Sequence, residues 1–371
     1  MFWGCPSAQK TQKKKMPRLF FLAGLFDTGK EPSYLVAADF DVDGNMDLGV
    51  VNSASHTFSI LIGLGDGDFA DQMVFKTGTD PICMTVADFN GDHFPDIAIV
   101  NYADQTITVY LNTGVGKFRK VSQILKPGKI PINLVAGDFD EDGHYDLAVS
   151  MRYHKVVFMK GKGNGRFGKP KTVAVRGQPT ALVVGDYNND KHQDVAVALA
   201  GSGNKGVVIL WGDGKGRFIQ SNLYRGGGQP LSIANIDANG DGYMDLVTSS
   251  NSLHALTMVM NKKDGTFSGL RDFASGEFPK FAAVADFTGD NIPDLAVTNA
   301  TLDMVSISLG KGDGTFTYPP IYHEVAEYPQ GMVIADFNND GLLDIAVSSR
   351  DENKISLLLK KNMVNPSPFA N

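Results

Sequence analysis

An acidic nine-residue motif returns seven times along this chain, and its spacing restricts the architecture more than any other feature. The first copy reads Asp39-Phe-Asp41-Val-Asp43-Gly-Asn45-Met-Asp47, and the others start at Asp88, Asp138, Asp186, Asp237, Asp286 and Asp336. Successive first aspartates are 49, 50, 48, 51, 49 and 50 residues apart. A period near fifty implies stacked copies of one supersecondary unit, although 371 residues could otherwise hold two or three domains.

The second unit shows the grammar. Gly78-Thr-Asp-Pro81 is a turn and Ile82–Ala87 an apolar, partly β-branched run; after the motif come Ile97–Val100, a polar turn and the alternating Thr106–Leu111. A glycine-rich loop then leads to a fourth strand at Phe118. Four short strands per unit, without helical periodicity, predict an all-β fold: a seven-bladed β-propeller of four-stranded antiparallel blades. The loop before the fourth strand recurs as Gly65-Asp-Gly67-Asp-Phe69, Gly163-Asn-Gly165-Arg-Phe167 and Gly214-Lys-Gly216-Arg-Phe218, and its phenylalanine is expected to anchor the outer strand on the adjacent sheet.

The two ends complement each other. Repeat seven stops after its third strand, Lys354–Leu359, while residues 18–28 read as a strand without a unit, with Phe20 to Gly29 spaced like Phe69 to Gly78. The N-terminal strand should therefore complete the last blade and remove exposed edges. Lys13-Lys14-Lys15 before Leu19–Phe26 has the outline of an export leader, but no small-residue cleavage site follows, and the strand reading is preferred. The expected division is a basic flexible tail at 1–16, one propeller at 17–361 and a C-terminal tail at 362–371. No apolar run approaches the ~18 residues of a membrane span. The two cysteines, Cys5 and Cys83, cannot build a disulfide framework, and Cys83 is expected in a buried strand.

Side-chain oxygens at positions 1, 3, 5 and 9 and the carbonyl at position 7 can wrap one hard cation, the donor pattern that calcium takes in the first nine positions of an EF-hand loop. The first and third loops supply four carboxylates each: Asp39, Asp41, Asp43 and Asp47 with the Asn45 carbonyl, and Asp138, Asp140, Asp142 and Asp146 with that of His144. The second (Asp88, Asn90, Asp92, Phe94, Asp96), fifth (Asp237, Asn239, Asp241, Tyr243, Asp245) and seventh (Asp336, Asn338, Asp340, Leu342, Asp344) carry asparagine at position 3. The fourth (Asp186, Asn188, Asp190, His192, Asp194) has Lys191 at position 6, unfavourable for both the turn and a nearby cation. The sixth (Asp286, Thr288, Asp290, Ile292, Asp294) offers a neutral hydroxyl at position 3. Up to seven Ca²⁺ are expected, bound more weakly at repeats four and six. One such loop could be an aspartate-capped turn; seven copies at one spacing favour calcium. Seven bound ions would move the formal charge from -7 to about +7.

The acidic loop, the Gly-x-Gly-x-Phe loop and the Gly-x-x-Pro turn together resemble FG-GAP repeats, also described as VCBS-type repeats, over residues 17–361. Such repeats form the N-terminal propeller of integrin α subunits and a family of fungal lectins, and occur in bacterial surface or secreted proteins. The resemblance implies structural calcium on one face of the propeller.

Ligand recognition is then expected on the opposite face, built by the turns between second and third strands and between blades. Asn101, Tyr102, Asp104, Arg152, Tyr153, His154, Asn251, His254, Asn299, Asp303, Arg350 and Asp351 fall in those turns. From Gln105 to Gly185, outside the third metal loop, there are thirteen Lys or Arg and no Asp or Glu. Tyr102, Arg152, Tyr153, His154, Lys160, Lys162 and Arg166 are therefore the candidate ligand residues, facing an anionic glycan or cell-surface protein. No nucleophile elbow, phosphate loop or zinc signature is present, so the leading expectation is a calcium-stabilised recognition or adhesion propeller. The alternative is a calcium-dependent polysaccharide lyase or dehydratase acting on acidic sugars, with His154 and Tyr153 as acid–base pair. Millimolar-range calcium loops point to an extracellular, periplasmic or cell-surface location, and for that reason nucleic acid is not an expected partner.

Overall fold

The computed structural model describes residues 19–361 apart from Ser122, Ile124, Ser202, Gly226 and Asn251; both expected tails, Cys5 and the Asn251 candidate lie outside the described residues. Seven antiparallel sheets form seven blades. Blades one to six run in chain order: 32–76, 81–120, 131–174, 178–225, 230–274 and 279–324. Blade seven combines Pro329–Ala335, Asp344–Ser349 and Lys354–Lys360 with the N-terminal strand Phe20–Asp27.

Six blades start at a proline and blade four at Gln178, one residue before Pro179, a strand-end position where the missing N–H leaves no bond unmade. A register shift follows that proline in every blade. In four blades a hydroxyl of the second strand accepts a backbone N–H at this bulge: Ser150 from Asn133, Ser249 from Ser232, Thr298 from Phe281 and Ser348 from Gly331, at 2.9–3.1 Å. The second strand, from Asp47, Asp96, Asp146, Asp194, Asp245, Asp294 or Asp344, is buried along its whole length, since it packs on both neighbouring blades. Cys83, on an inner strand, is buried, and desolvation pushes its thiol up to about 12.

Neighbouring blades are clasped through position 2 of each acidic loop. Phe40, Phe89, Phe139, Tyr187 and Phe337 meet Phe118, Phe167, Phe218, Phe267 and Phe69 of the following blade edge-on, with ring centroids 5.5–6.2 Å apart. The expected anchoring role of the loop phenylalanine is thus met. Gly116, Gly165, Gly216 and Gly67 donate their N–H to the carbonyls of Phe40, Phe89, Phe139 and Phe337 at 2.8–3.1 Å. These glycines hold φ between 65° and 86°, so a β-carbon would be strained at this contact. Blade five has Ala238 at position 2, and Phe316 stacks instead on Phe273 at 5.2 Å.

The ring closes as the sequence predicts. Phe20 pairs with Lys360 and Asp27 with Lys354, with a bulge between Leu22 and Gly24. Phe20 is fully buried and meets Phe287 of blade six and His323 edge-on, both at 5.4 Å. Replacing Phe20 by alanine should cost about 3 kcal/mol through lost burial and a residual cavity, read as a lower urea midpoint with unchanged slope.

Candidate metal centres and ligand face

The ninth aspartate of every motif is buried, at 0–4% exposure, and serves two strands at once. One oxygen accepts the N–H of position 2, at 2.7–3.2 Å, in all seven loops. The other accepts an N–H at the end of the third strand (Gly63, Asn112, Gly161, Gly212, Asn261, Gly310, Lys360) at 2.6–2.8 Å. Desolvation outweighs these donors and pushes the carboxyl up to about 6 in six loops and about 7 at Asp96.

Above this anchor the backbone shapes the loop. The first aspartate accepts the N–H of position 5 at 3.0–3.3 Å and of position 6 at 2.7–2.9 Å throughout. The fifth accepts the N–H of position 7, which explains why side chains as different as Asn45, Phe94, His144, His192, Tyr243, Ile292 and Leu342 stand there. The aspartates therefore do cap turns, and their remaining lone pairs converge. Ligand oxygens of Asp39, Asp41 and Asp43, and of Asp138, Asp140 and Asp146, lie within 4.8 Å of one another. Asp140 also keeps a buried Oδ1 without a hydrogen-bond partner. An all-oxygen, carboxylate-rich set of this kind fits a hard divalent cation such as calcium. Asn90, Asn188, Asn239 and Asn338 turn their amide N–H onto the fifth aspartate at 2.8–3.2 Å, relieving its charge. Thr288 instead donates to Asp286 at 3.2 Å.

Two lysines complicate the grading expected from composition. Lys160 places its ammonium 2.5 Å from Asp140 and 2.9 Å from Asp142 of the third loop, and Lys263 lies 3.4 Å from Asp241 of the fifth. Neighbouring loops also touch: Asn339 donates to Asn45 at 2.6 Å, and His192 meets Glu141 at 2.6 Å, which raises the imidazole pKa.

The candidate ligand residues do not form one site. Tyr102, Arg152, Tyr153 and His154 occupy turns between second and third strands, whereas Lys160, Lys162 and Arg166 follow the third strand, at the end of the blade that carries the acidic loops. His154, considered as a catalytic base, donates its Nδ1–H to the Gly177 carbonyl at 2.6 Å. The same station clips the next turn elsewhere: His56, His254, Asp303 and Asn353 accept the N–H of Asp80, Phe278, Tyr328 and Glu31. His154 and Tyr153 thus lie at the end of blade three away from its acidic loop. Asn101 and Asn299 are fully buried and donate to third-strand hydroxyls, Asn101 also accepting from Thr77 and Gly78 before its blade, so they are internal braces and not surface ligands. The inner strands enclose a 280 Å³ cavity at the mouth of the central channel, on the same face. Its lining includes Lys280, with Nζ 5.0 Å from the Phe278 ring and 5.5 Å from that of Tyr328.

These features define a β-propeller fastened by repeated acidic loops. The chain belongs to the FG-GAP-like repeat family, whose model matches residues 39–99, 88–149, 138–197, 186–248, 237–297 and 286–347. Comparison with curated proteins gives no match. Among solved structures, BBS1N in complex with ARL6DN is similar at 11% identity and TM-score 0.65, covering 94% of this chain and 99% of that one. The WD40 propeller domain of Doa1 is similar at 12% identity and TM-score 0.60, over 93% and 98% of the two chains. A functionally unknown protein from Desulfotomaculum acetoxidans is similar at 11% identity and TM-score 0.59, over 83% and 90%. At these identities the likeness concerns the fold alone. Among the described residues no helix is long and apolar enough to cross a membrane.

Two outcomes follow from the loop geometry. Lys191 holds φ at 72°, so Lys191→Gly should stabilise the protein by about 0.5–1 kcal/mol, seen as a higher melting temperature. In chelator, the ninth carboxyls are protonated in the fold below about pH 6 but in the unfolded chain only near 3.9. Their ionisation opposes folding above that range, so chelated protein should gain stability as pH falls from about 7 to 5. Excess calcium should reverse the sign, because protons then compete with a bound cation; melting at both pH values in each condition checks the two slopes.

Proposed function

We propose that this protein is a calcium-fastened recognition propeller that binds a glycan or a cell-surface protein outside the cytosol. The observation that carries this reading is the convergence of carboxylate oxygens in the first and third loops beside a buried, doubly bonded ninth aspartate, in the third around an Asp140 oxygen with no hydrogen-bond partner. Calcium supplies positive charge that the loop aspartates otherwise lack, except where Lys160 and Lys263 stand in. Loops of this class bind at about 10⁻⁴–10⁻³ M in extracellular modules, which suits an extracellular, periplasmic or surface setting. The similar BBS1N propeller, found in complex with ARL6DN, supports a protein ligand as one class of partner. Catalysis is left out of the reading, since His154 and Tyr153 stand away from any acidic loop.

Calcium titrated into chelator-stripped protein should raise the melting temperature and bind with a stoichiometry of up to seven, repeats four and six filling last. An unchanged melting curve at millimolar calcium would overturn the calcium reading. Release of unsaturated products from a uronate polymer would overturn the non-catalytic one.

A further inference from the structure

On the face opposite the metal loops, charge is divided between two halves. Around blades six and seven the turns carry Glu277, Asp303, Glu327, Asp351 and Glu352, and Arg350 is paired with Glu31 at 3.3 Å. Across the ring, four successive turns of blades three and four contain no carboxylate: 126–130, 151–155, 175–178 and 203–206. They touch in sequence. Arg152 donates its N–H to Ile130 O at 3.0 Å, and a β-carbon on Gly128 would lie 3.3 Å from Lys155 Nζ. Val175 donates to His154 O at 2.9 Å, and a β-carbon on Gly177 would lie 2.9 Å from Asn204 O.

This continuous arc presents Lys126, Lys129, Arg152, Lys155, Arg176 and Lys205, and none of them has an ion-pair partner among the described residues. Of the large exposed apolar side chains, Tyr153, 57% exposed, is the one that these turns supply. A protein partner needs a desolvated apolar centre to its interface, and single-stranded nucleic acid needs several stacking rings. A hydrated polyanion with one flat ring face to stack fits what the arc offers.

We propose that this arc binds an extended anionic glycan bearing carboxylate or sulfate groups, with Tyr153 beneath a sugar ring and Arg152, Lys155 and Arg176 on its charges. The assignment rests on the recognition reading above but not on its calcium component. Binding is measured on immobilised heparin (sulfate) and hyaluronate (carboxylate) at saturating calcium, with melting curves confirming that each variant is folded. The wild type should be retained on at least one matrix, and which one identifies the anionic group. The triple variant Arg152→Gln/Lys155→Gln/Arg176→Gln should bind about tenfold more weakly, each exposed charge contributing a few-fold. Tyr153→Ala should weaken binding with little change in its salt dependence, because stacking carries no charge. The Lys162→Gln/Arg166→Gln variant, altered on the metal-loop side, should bind like wild type. No retention on either matrix, equal loss in the two multiple variants, or tighter retention on DNA or poly-glutamate than on both glycans would overturn the proposal. Loss of glycan binding with intact calcium stabilisation removes this inference alone; intact glycan binding without calcium stabilisation removes the calcium reading alone.

Discussion

Everything in the ring depends on a buried carboxylate that accepts two backbone N–H groups. The ninth aspartate joins the turn after the first strand to the end of the third, and so sets the register of three strands from one side chain. The N–H it fixes at position 2 belongs to the residue whose ring and carbonyl are gripped by the next blade. Loop order and blade-to-blade docking are therefore one event. A change at Asp96, for instance, would free Phe89 and loosen its contact with Phe167 and Gly165.

The same carboxylate explains why such loops suit a cation. Burial raises the proton affinity of the ninth aspartate, and other loop aspartates crowd around it, Asp41 and Asp39 around Asp47, Asp140 and Asp142 around Asp146. A positive ion in the loop would lower the cost of ionising all of them together. Lys160 shows what the chain does with its own means: an ammonium from the third strand's end lies between two loop carboxylates.

Much of this was legible in the residues. The period predicted seven blades, and matching Phe20–Gly29 to Phe69–Gly78 predicted the closing strand that pairs with Lys354–Lys360. Lys191 at position 6 predicted a strained turn, and its φ is positive. The face of each charged residue was less legible, because a run of basic residues in sequence alternates between both ends of a blade. Lys160 was grouped with Arg152 although it follows the third strand; counting strand ends would have separated them. The clip made by His154 was also hidden, since its partner, the Gly177 carbonyl, is a backbone atom without a side-chain signature.

The closing strand bears on how the protein is made. Phe20 pairs in the last blade with Lys360, so the propeller's earliest strand waits for its latest. Through most of translation it is an unpaired edge with an apolar face, while six blades assemble from contacts within about fifty residues. The final joining of the ends is then the slow, non-local step of folding, and a ribosome-bound or truncated chain would expose an adhesive strand at one end and its vacant berth at the other.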